Sequence, residues 1–234
     1  MPKSSNYDSA WKDMIENLFE DFLLFFFPDV YADVDFSKGY EFLSNELRKI
    51  VKDNRIGKRY ADELVKVFLK DGSEKWLLIH VEVQGYKEDN FEERIFVYNY
   101  RIFDKYKKDV ISLVILTDPD LKYRPNHYSI ERWNFKFSID FPLIKILDYK
   151  DRIEELEESK NPFAITVLAH LKLIDAKKDN TKKFDAKLYL IKSMFKKGFN
   201  KKAIEEILMF IDWVIQLPED LEIKFDEELT HLKG

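Results

Sequence analysis

Cysteine is absent from the 234 residues. That removes disulfides, thiolate metal sites and a cysteine nucleophile together. Glycine occurs only 6 times and proline 7 times, too few for a collagen-like or low-complexity chain. Neither G-x-G-x-x-G nor G-x-x-x-x-G-K-[ST] occurs, so the dinucleotide and phosphate-loop fingerprints are missing. H-E-x-x-H and G-x-S-x-G are missing too, and His80, His127, His170 and His231 are dispersed, which argues against a histidine metal cluster. Long apolar runs are also lacking. The run Phe22-Leu23-Leu24-Phe25-Phe26-Phe27 has six residues, whereas a bilayer span needs about 20. Asp13, Glu16, Glu20 and Asp21 precede it, the opposite of the basic start of a secretory signal. The expectation is a chain with no membrane segment and a cytoplasmic address, which the lack of cysteine also fits.

What the chain does have is apolar and aromatic bulk. Hydrophobic residues make up 45% and aromatics 15%, enough to bury a sizeable core and to exclude disorder. The net charge of −5 does not announce a nucleic-acid binder, but it averages over uneven segments. Residues 47–75 carry 9 basic and 5 acidic side chains, residues 94–108 carry 5 and 1, and residues 177–202 carry 10 and 2. Residues 1–36 and 203–234 are acidic. Basic segments are what meet phosphate, although the lysine run at 177–202 reads as an ordinary solvated helix face.

Hydrophobic spacing predicts a helix from Asp8 to Phe27, stopped by Pro28, then a short extended piece from Tyr31 to Phe36. Phe42, Leu43, Leu47 and Ile50 place a second helix near Tyr40 to Lys52. The period then changes. Ala61 to Leu69 and Trp76 to Val83 read as strands joined through Lys70-Asp71-Gly72-Ser73, a β-hairpin. Phe91 to Lys107 reads as a helix and Val110 to Thr117 as a strand buried on both faces. Tyr128 to Trp133 and Lys136 to Ile139 are candidate short strands. From Leu147 onward the pattern is helical throughout. The organisation expected is an α/β or α+β core over residues 1–147 that includes the N-terminal helix, with a helical extension over 148–234.

Chemistry concentrates on the hairpin. His80, Glu82 and Gln84 alternate with Ile79, Val81 and Val83, so the polar three share one face of their strand. On the first strand Asp62, Leu64 and Lys66 share a face. A loop of three or five residues, with Gly72 in a left-handed position, is expected to set Asp62 directly opposite Glu82 or Gln84. Two carboxylates brought together beside apolar walls need a cation, a shared proton or a basic neighbour. Oxygen ligands without cysteine or clustered histidine favour Mg²⁺ or Mn²⁺. The bland alternative is a solvent-facing Asp62 and Glu82 paired with Lys66 or Arg59.

The stretch Tyr60-Ala61-Asp62-Glu63-Leu64-Val65-Lys66-Val67-Phe68-Leu69-Lys70-Asp71-Gly72, followed by Trp76 and by Leu78-Ile79-His80-Val81-Glu82-Val83-Gln84-Gly85, resembles the recombination-promoting nuclease (Rpn) and transposase family. The resemblance continues through Glu93 to Tyr106 and Ser112 to Asp118, and covers residues 38–118 best. That family belongs to the PD-(D/E)XK nuclease superfamily, whose core is a helix, three antiparallel strands, a helix and a strand. The resemblance implies a restriction-endonuclease-like fold with a mixed central sheet flanked by helices, and Asp62 and Glu82 as catalytic metal ligands. Gln84 then stands where the superfamily usually has lysine. Glutamine can hydrogen-bond an attacking water but brings no charge to it.

Around that centre, Arg94, Tyr98, Arg101 and Lys105 fall within about 60° on one helix face at 100° per residue. With Lys66, the residues Arg94, Tyr98 and Arg101 are candidates to grip a phosphodiester backbone. Glu46 is a candidate to reach the same site, with a solvated helix position as its plain alternative. Trp76 and Trp133 read as core residues rather than base-stacking platforms. The function implied is a divalent-metal-dependent DNA endonuclease linked to recombination or mobile elements, with DNA as partner and a homodimer plausible for two-strand cleavage. The alternative is a catalytically weak or inactive relative that binds nucleic acid or protein.

Overall fold

The computed structural model describes residues 4–51, 61–82 and 90–233. The chain divides into two compact units, one made of Phe26–Lys145 and one made of Met1–Phe25 with Ile146–Gly234. Among the described residues no helix is long and apolar enough to cross a membrane.

The unit Phe26–Lys145 is built on a five-stranded mixed sheet in the order β1 (Tyr40–Phe42), β2 (Ala61–Phe68), β3 (Glu74–Glu82), β4 (Val110–Leu116) and β7 (Leu143–Lys145). β1, β2 and β3 pair antiparallel, whereas β3–β4 and β4–β7 pair parallel. The β2–β3 loop has the three residues Lys70, Asp71 and Gly72. It is closed by Leu69 N–H donating to the Ser73 carbonyl at 2.8 Å and Gly72 N–H donating to the Leu69 carbonyl at 2.9 Å. Gly72 has φ +89°, a backbone conformation that a side chain would strain. β4 is buried from Ser112 to Leu116, as a parallel strand flanked on both edges requires. Helix α5 (Phe91–Tyr106) makes the β3–β4 crossover. A separate hairpin, β5 (His127–Arg132) with β6 (Phe135–Asp140), lies between β4 and β7 in sequence.

Three local expectations change. The single N-terminal helix is two helices, α1 (Ser4–Asn17) and α2 (Phe19–Phe26). Pro28 does not simply stop it but opens α3 (Pro28–Asp33), because proline suits the first helical position, where no N–H bond is lost. The segment expected to be extended, Tyr31 to Phe36, is therefore largely helical, apart from a bridge from Val34 to Leu69. The helix expected from Tyr40 is the strand β1 followed by α4 (Ser44–Val51). Gly39 at φ +72° turns the chain there, and Tyr40 and Phe42 follow the two-residue period of a strand. The sequence leaves room for the first core strand at residues 54–60; that stretch lies outside the described residues.

The second unit is helical, with α6 (Ile153–Glu158), α7 (Pro162–Ala176), α8 (Asn180–Lys196), α9 (Lys201–Val214) and α10 (Glu219–Lys233). α7 is buried continuously from Pro162 to Leu171, as befits a central helix that is apolar all round. Asn161 caps it by accepting from Phe163 N–H at 2.9 Å. The N-terminal helix, expected with the core, packs here instead. Trp11 on α1 stacks on His170, with ring centroids 5.5 Å apart, and meets Phe210 edge-on at 5.5 Å. The Trp11 indole N–H donates to His170 Nε2 at 2.9 Å. The lysine run at 177–202 is not uniformly solvated. Lys187 is buried and paired to Glu222 at 2.8 Å and Asp212 at 3.1 Å. Lys197 donates to the carbonyls of Leu156 at 3.2 Å and Ser159 at 2.6 Å at the end of α6.

Burial pushes the His170 imidazole down from 6.5 to about 4. The folded unit thus binds fewer protons than the unfolded chain between those values, and this contribution to stability is complete above pH 6.5 and lost as pH falls to about 4. Urea unfolding followed across this window is expected to show a loss of about 3 kcal/mol from this group. His170→Gln is expected to lack that slope. Parallel pH profiles for wild type and variant would remove the Trp11–His170 bond as the acid-sensitive contact.

Candidate functional site

The β2–β3 register decides which residues meet. Leu69 and Ser73 close the loop, so Asp62, seven residues before Leu69, lies across from His80, seven after Ser73. Asp62 is therefore not directly opposite Glu82 or Gln84. The three-residue loop is as expected; its consequence for pairing is not. The shared face does follow. Directly paired residues point to one side of a sheet, and Glu82 lies two residues beyond His80, so positions 62, 80 and 82 fall on one face. Positions 62 and 82 are diagonal neighbours, about 7–8 Å apart in such ladders. Gln84 lies outside the described residues; Asp62, His80 and Glu82 are placed by their strand register.

The same face carries the core. Leu64, Trp76 and Leu78 pack with Leu43, with Leu47 and Ile50 of α4 and with Tyr98 and Ile102 of α5. Farther along, Phe91 and Ile95 of α5 pack on Val114 and Leu116 with Tyr123 and Phe141. Val114 and Leu116 are the parallel neighbours of His80 and Glu82. The first turns of α5 therefore cover the strand next to the candidate carboxylates. Arg94 lies in those turns, only 2% exposed, with its guanidinium 5.1 Å from the Phe91 ring centroid.

The stripe expected to face phosphates is thus mostly internal. Arg94 and Tyr98 are buried, because their arc merges with the apolar arc of Phe91, Ile95 and Ile102. Arg101 is half-buried and donates to the Ile50 carbonyl at 3.5 Å, at the end of α4. Lys105, in the last turn, is exposed. Lys66 pairs with Glu41 across β1–β2, and that carboxylate raises the ammonium above its usual range. Glu46 is 3.9 Å from Lys49 on its own helix. Trp76 is a core residue, as expected, but Trp133 is 90% exposed and is not.

Sequence reasoning missed one pair at the same end of the sheet. Lys145 Nζ donates to both Asp118 carboxylate oxygens at 2.6 Å and to the Tyr123 carbonyl at 3.3 Å, and both side chains are buried. Leu116 is the direct partner of Glu82 on β3 and of Lys145 on β7. Glu82, Leu116 and Lys145 therefore form one row across three parallel strands, on one face. The signal was present: a single lysine inside Leu143-Ile144-Lys145-Ile146-Leu147 has apolar neighbours on both sides. Carboxyl ends of parallel strands are where open α/β sheets hold ligands, and this end carries positions 62 and 82, a buried guanidinium and a buried ion pair. Among the described residues, no group of three or more His, Asp and Glu is arranged to hold a metal ion.

Removing either partner of the Lys145–Asp118 pair strands a charge in the core. Lys145→Met and Asp118→Asn are each expected to cost about 3–5 kcal/mol. The double variant Asp118→Leu/Lys145→Met is expected to recover most of that loss. Denaturant midpoints of the three proteins test this, and additive losses would contradict a coupled pair.

No protein-family model matches the chain, no curated protein matches it, and no solved structure matches it; the chemistry assigned to this end of the sheet rests on the residues themselves.

Proposed function

We propose that the chain is a divalent-metal-dependent DNA endonuclease that hydrolyses phosphodiester bonds, of the kind linked to recombination or mobile elements. The observation that carries the reading is the register that sets positions 62, 80 and 82 on one face of the hairpin, beside the strand that the Arg94-bearing turns of α5 cover. The element order agrees with the family resemblance in its three antiparallel strands, helix and parallel strand. It departs in one place, since α4 falls between β1 and β2 rather than ahead of the three strands.

Asp62 and Glu82 are an oxygen-only donor set, which fits Mg²⁺ or Mn²⁺. Such an ion supplies an acidified water and neutralises charge developing on the phosphate. Gln84 hydrogen-bonds the water or a phosphate oxygen without adding charge. Arg94 acts as a fixed internal positive charge, not as a surface grip, and Lys66 and Arg101 stand at the margins. The second reading, a nuclease-like binding module with little or no catalysis, is favoured by one specific residue, Gln84 in the place of a lysine.

Single-turnover nicking of supercoiled plasmid against Mg²⁺ and Mn²⁺ concentration separates the two. Asp62→Ala and Glu82→Ala are each expected to slow cleavage by roughly a hundredfold or more, as the loss of a directly engaged charge does. Gln84→Lys is expected to retain or raise it. If Glu82→Gln cuts as fast as wild type, the carboxylates are structural. If no protein cuts and wild type still binds DNA, the binding module is correct.

A further inference from the structure

The β5–β6 hairpin spends its residues in a way that folding does not explain. Its register puts Tyr128, Ile130, Arg132, Phe135, Phe137 and Ile139 on one face and polar residues on the other. At the base, Phe96 of α5 stacks on Tyr128 at 5.3 Å and meets Phe137 at 4.8 Å. That contact secures the hairpin, which two strands alone could not do. Toward the tip the same face is open: Phe135 is 60% and Trp133 90% exposed.

Trp133 is also misplaced as backbone. It and Asn134 form the two-residue loop between the paired Arg132 and Phe135, and Trp133 has φ +52°. Such loops ordinarily give positions of that kind to glycine, asparagine or aspartate, and a bulky residue there is strained. The largest side chain in the repertoire thus occupies a glycine-like position and buries almost nothing. Strain that packing does not repay points to function.

A cation accompanies the aromatics. The Arg132 guanidinium is 5.4 Å from the Trp133 ring centroid. Lys136 is exposed next to Phe135, 3.8 Å from Glu131 on the polar face. Along α5, half-exposed Tyr100 continues the aromatic surface from Phe96 at 6.3 Å. The hairpin is rooted at the candidate site's end of the sheet. Tyr123 and Phe141, which flank it, pack on Val114 and Leu116, and Phe141 N–H donates to the Asn126 carbonyl at 3.1 Å.

We infer that the β5–β6 hairpin is an arm for unpaired nucleotides. Trp133 and Phe135 stack on bases, and Arg132 meets a flanking phosphate. Every base has a π-face, so stacking platforms edged with cations hold single strands with little sequence preference. Arg132, in the last pair before the loop, gives the tip of the aromatic face the positive charge that a phosphate backbone meets. The inference rests on the nucleic-acid reading above for its class of partner, and it narrows the substrate to single-stranded or locally unpaired DNA.

The test is binding of the full chain to oligo-dT in EDTA, read by intrinsic tryptophan fluorescence and by anisotropy of a labelled strand. Of the 4 tryptophans, Trp11 and Trp76 are buried and Trp213 is half-buried, so quenching by a stacked base reports Trp133. Wild type is expected to be quenched, to bind more weakly as salt rises, and to prefer oligo-dT to duplex. Trp133→Ala is expected to weaken binding about tenfold or more. Trp133→Phe is expected to keep most of the affinity and lose the quench. Trp133→Gly is expected to raise Tm by relieving the strained φ while binding no better than Trp133→Ala; a lower Tm would make Trp133 a structural residue and overturn the inference. Oligo-dT binding that is absent, or indifferent to Trp133→Ala, also overturns it, even where plasmid nicking still depends on Asp62. Trp133-dependent binding in a protein that never cuts leaves the arm standing and removes the nuclease. A doubling of mass without DNA that Trp133→Ala abolishes would assign the face to a second copy and overturn the inference.

Discussion

β4 has no exposed residue from Ser112 to Leu116, and from Val114 to Leu116 it is paired on both edges. Its backbone groups must be met on both edges, and β3 and β7 meet them in parallel register. Parallel neighbours cannot be joined by tight turns; each connection must be long enough to bring the chain back in the same direction. One return is α5. The other is the stretch between β4 and β7, where a helix would be usual and a hairpin stands instead. Both connections leave from the same end of the sheet, so Glu82, Asp118 and Lys145 gather there with the turns of α5 and the root of the hairpin. The candidate site is a consequence of how one buried strand is flanked.

Charge drawn inside the chain is the second theme. Arg94, Lys145 and Lys187 are all buried, and each enters by a different route. Lys145 is held by both oxygens of Asp118. Lys187 reaches two carboxylates and the Phe225 ring, 4.6 Å from its centroid. Arg94 lies against Phe91. Arginine tolerates such a place better than lysine because its charge is spread over a weakly hydrated plane that stacks on aromatic faces. Counting lysines in sequence therefore overstates the positive surface available to a polyanion.

Periodicity made most of the architecture legible. Leu64 to Phe68 and Trp76 to Val81 alternate or run apolar as strands do, and the helices after Leu147 announce themselves through Asn161-Pro162, Gly198 and Pro218. Other features were not legible. Local spacing could not tell that Tyr40 and Phe42 begin a strand, because Phe42, Leu43, Leu47 and Ile50 fit a helix as well. The facing of α5 was read one arc out: Arg94 and Tyr98 fit a polar stripe by type, but the width of the buried arc is set by how much sheet lies beneath it. Trp133 failed in the other direction. Apolar type argues for burial, and only the two-residue loop between Arg132 and Phe135 shows that it cannot be buried there. For the candidate carboxylates, parity along the strands was enough to assign a face, whereas the pairing partner depended on the loop.

The bond from Trp11 to His170 links residues 159 positions apart, and that distance has a bearing on synthesis. The unit Phe26–Lys145 is one continuous stretch and can close as soon as it leaves the ribosome. The helical unit cannot, because its first helices emerge before that stretch and the helices that cover them emerge after it. At about 5–20 residues per second, Trp11 and the phenylalanines of α2 wait on the order of ten seconds with their apolar faces uncovered. The acidic residues among them, Asp13, Glu16, Glu20 and Asp21, are gatekeepers for that interval: they keep a nascent segment rich in aromatics from joining its neighbours on a polysome before α7 and α9 arrive to cover it.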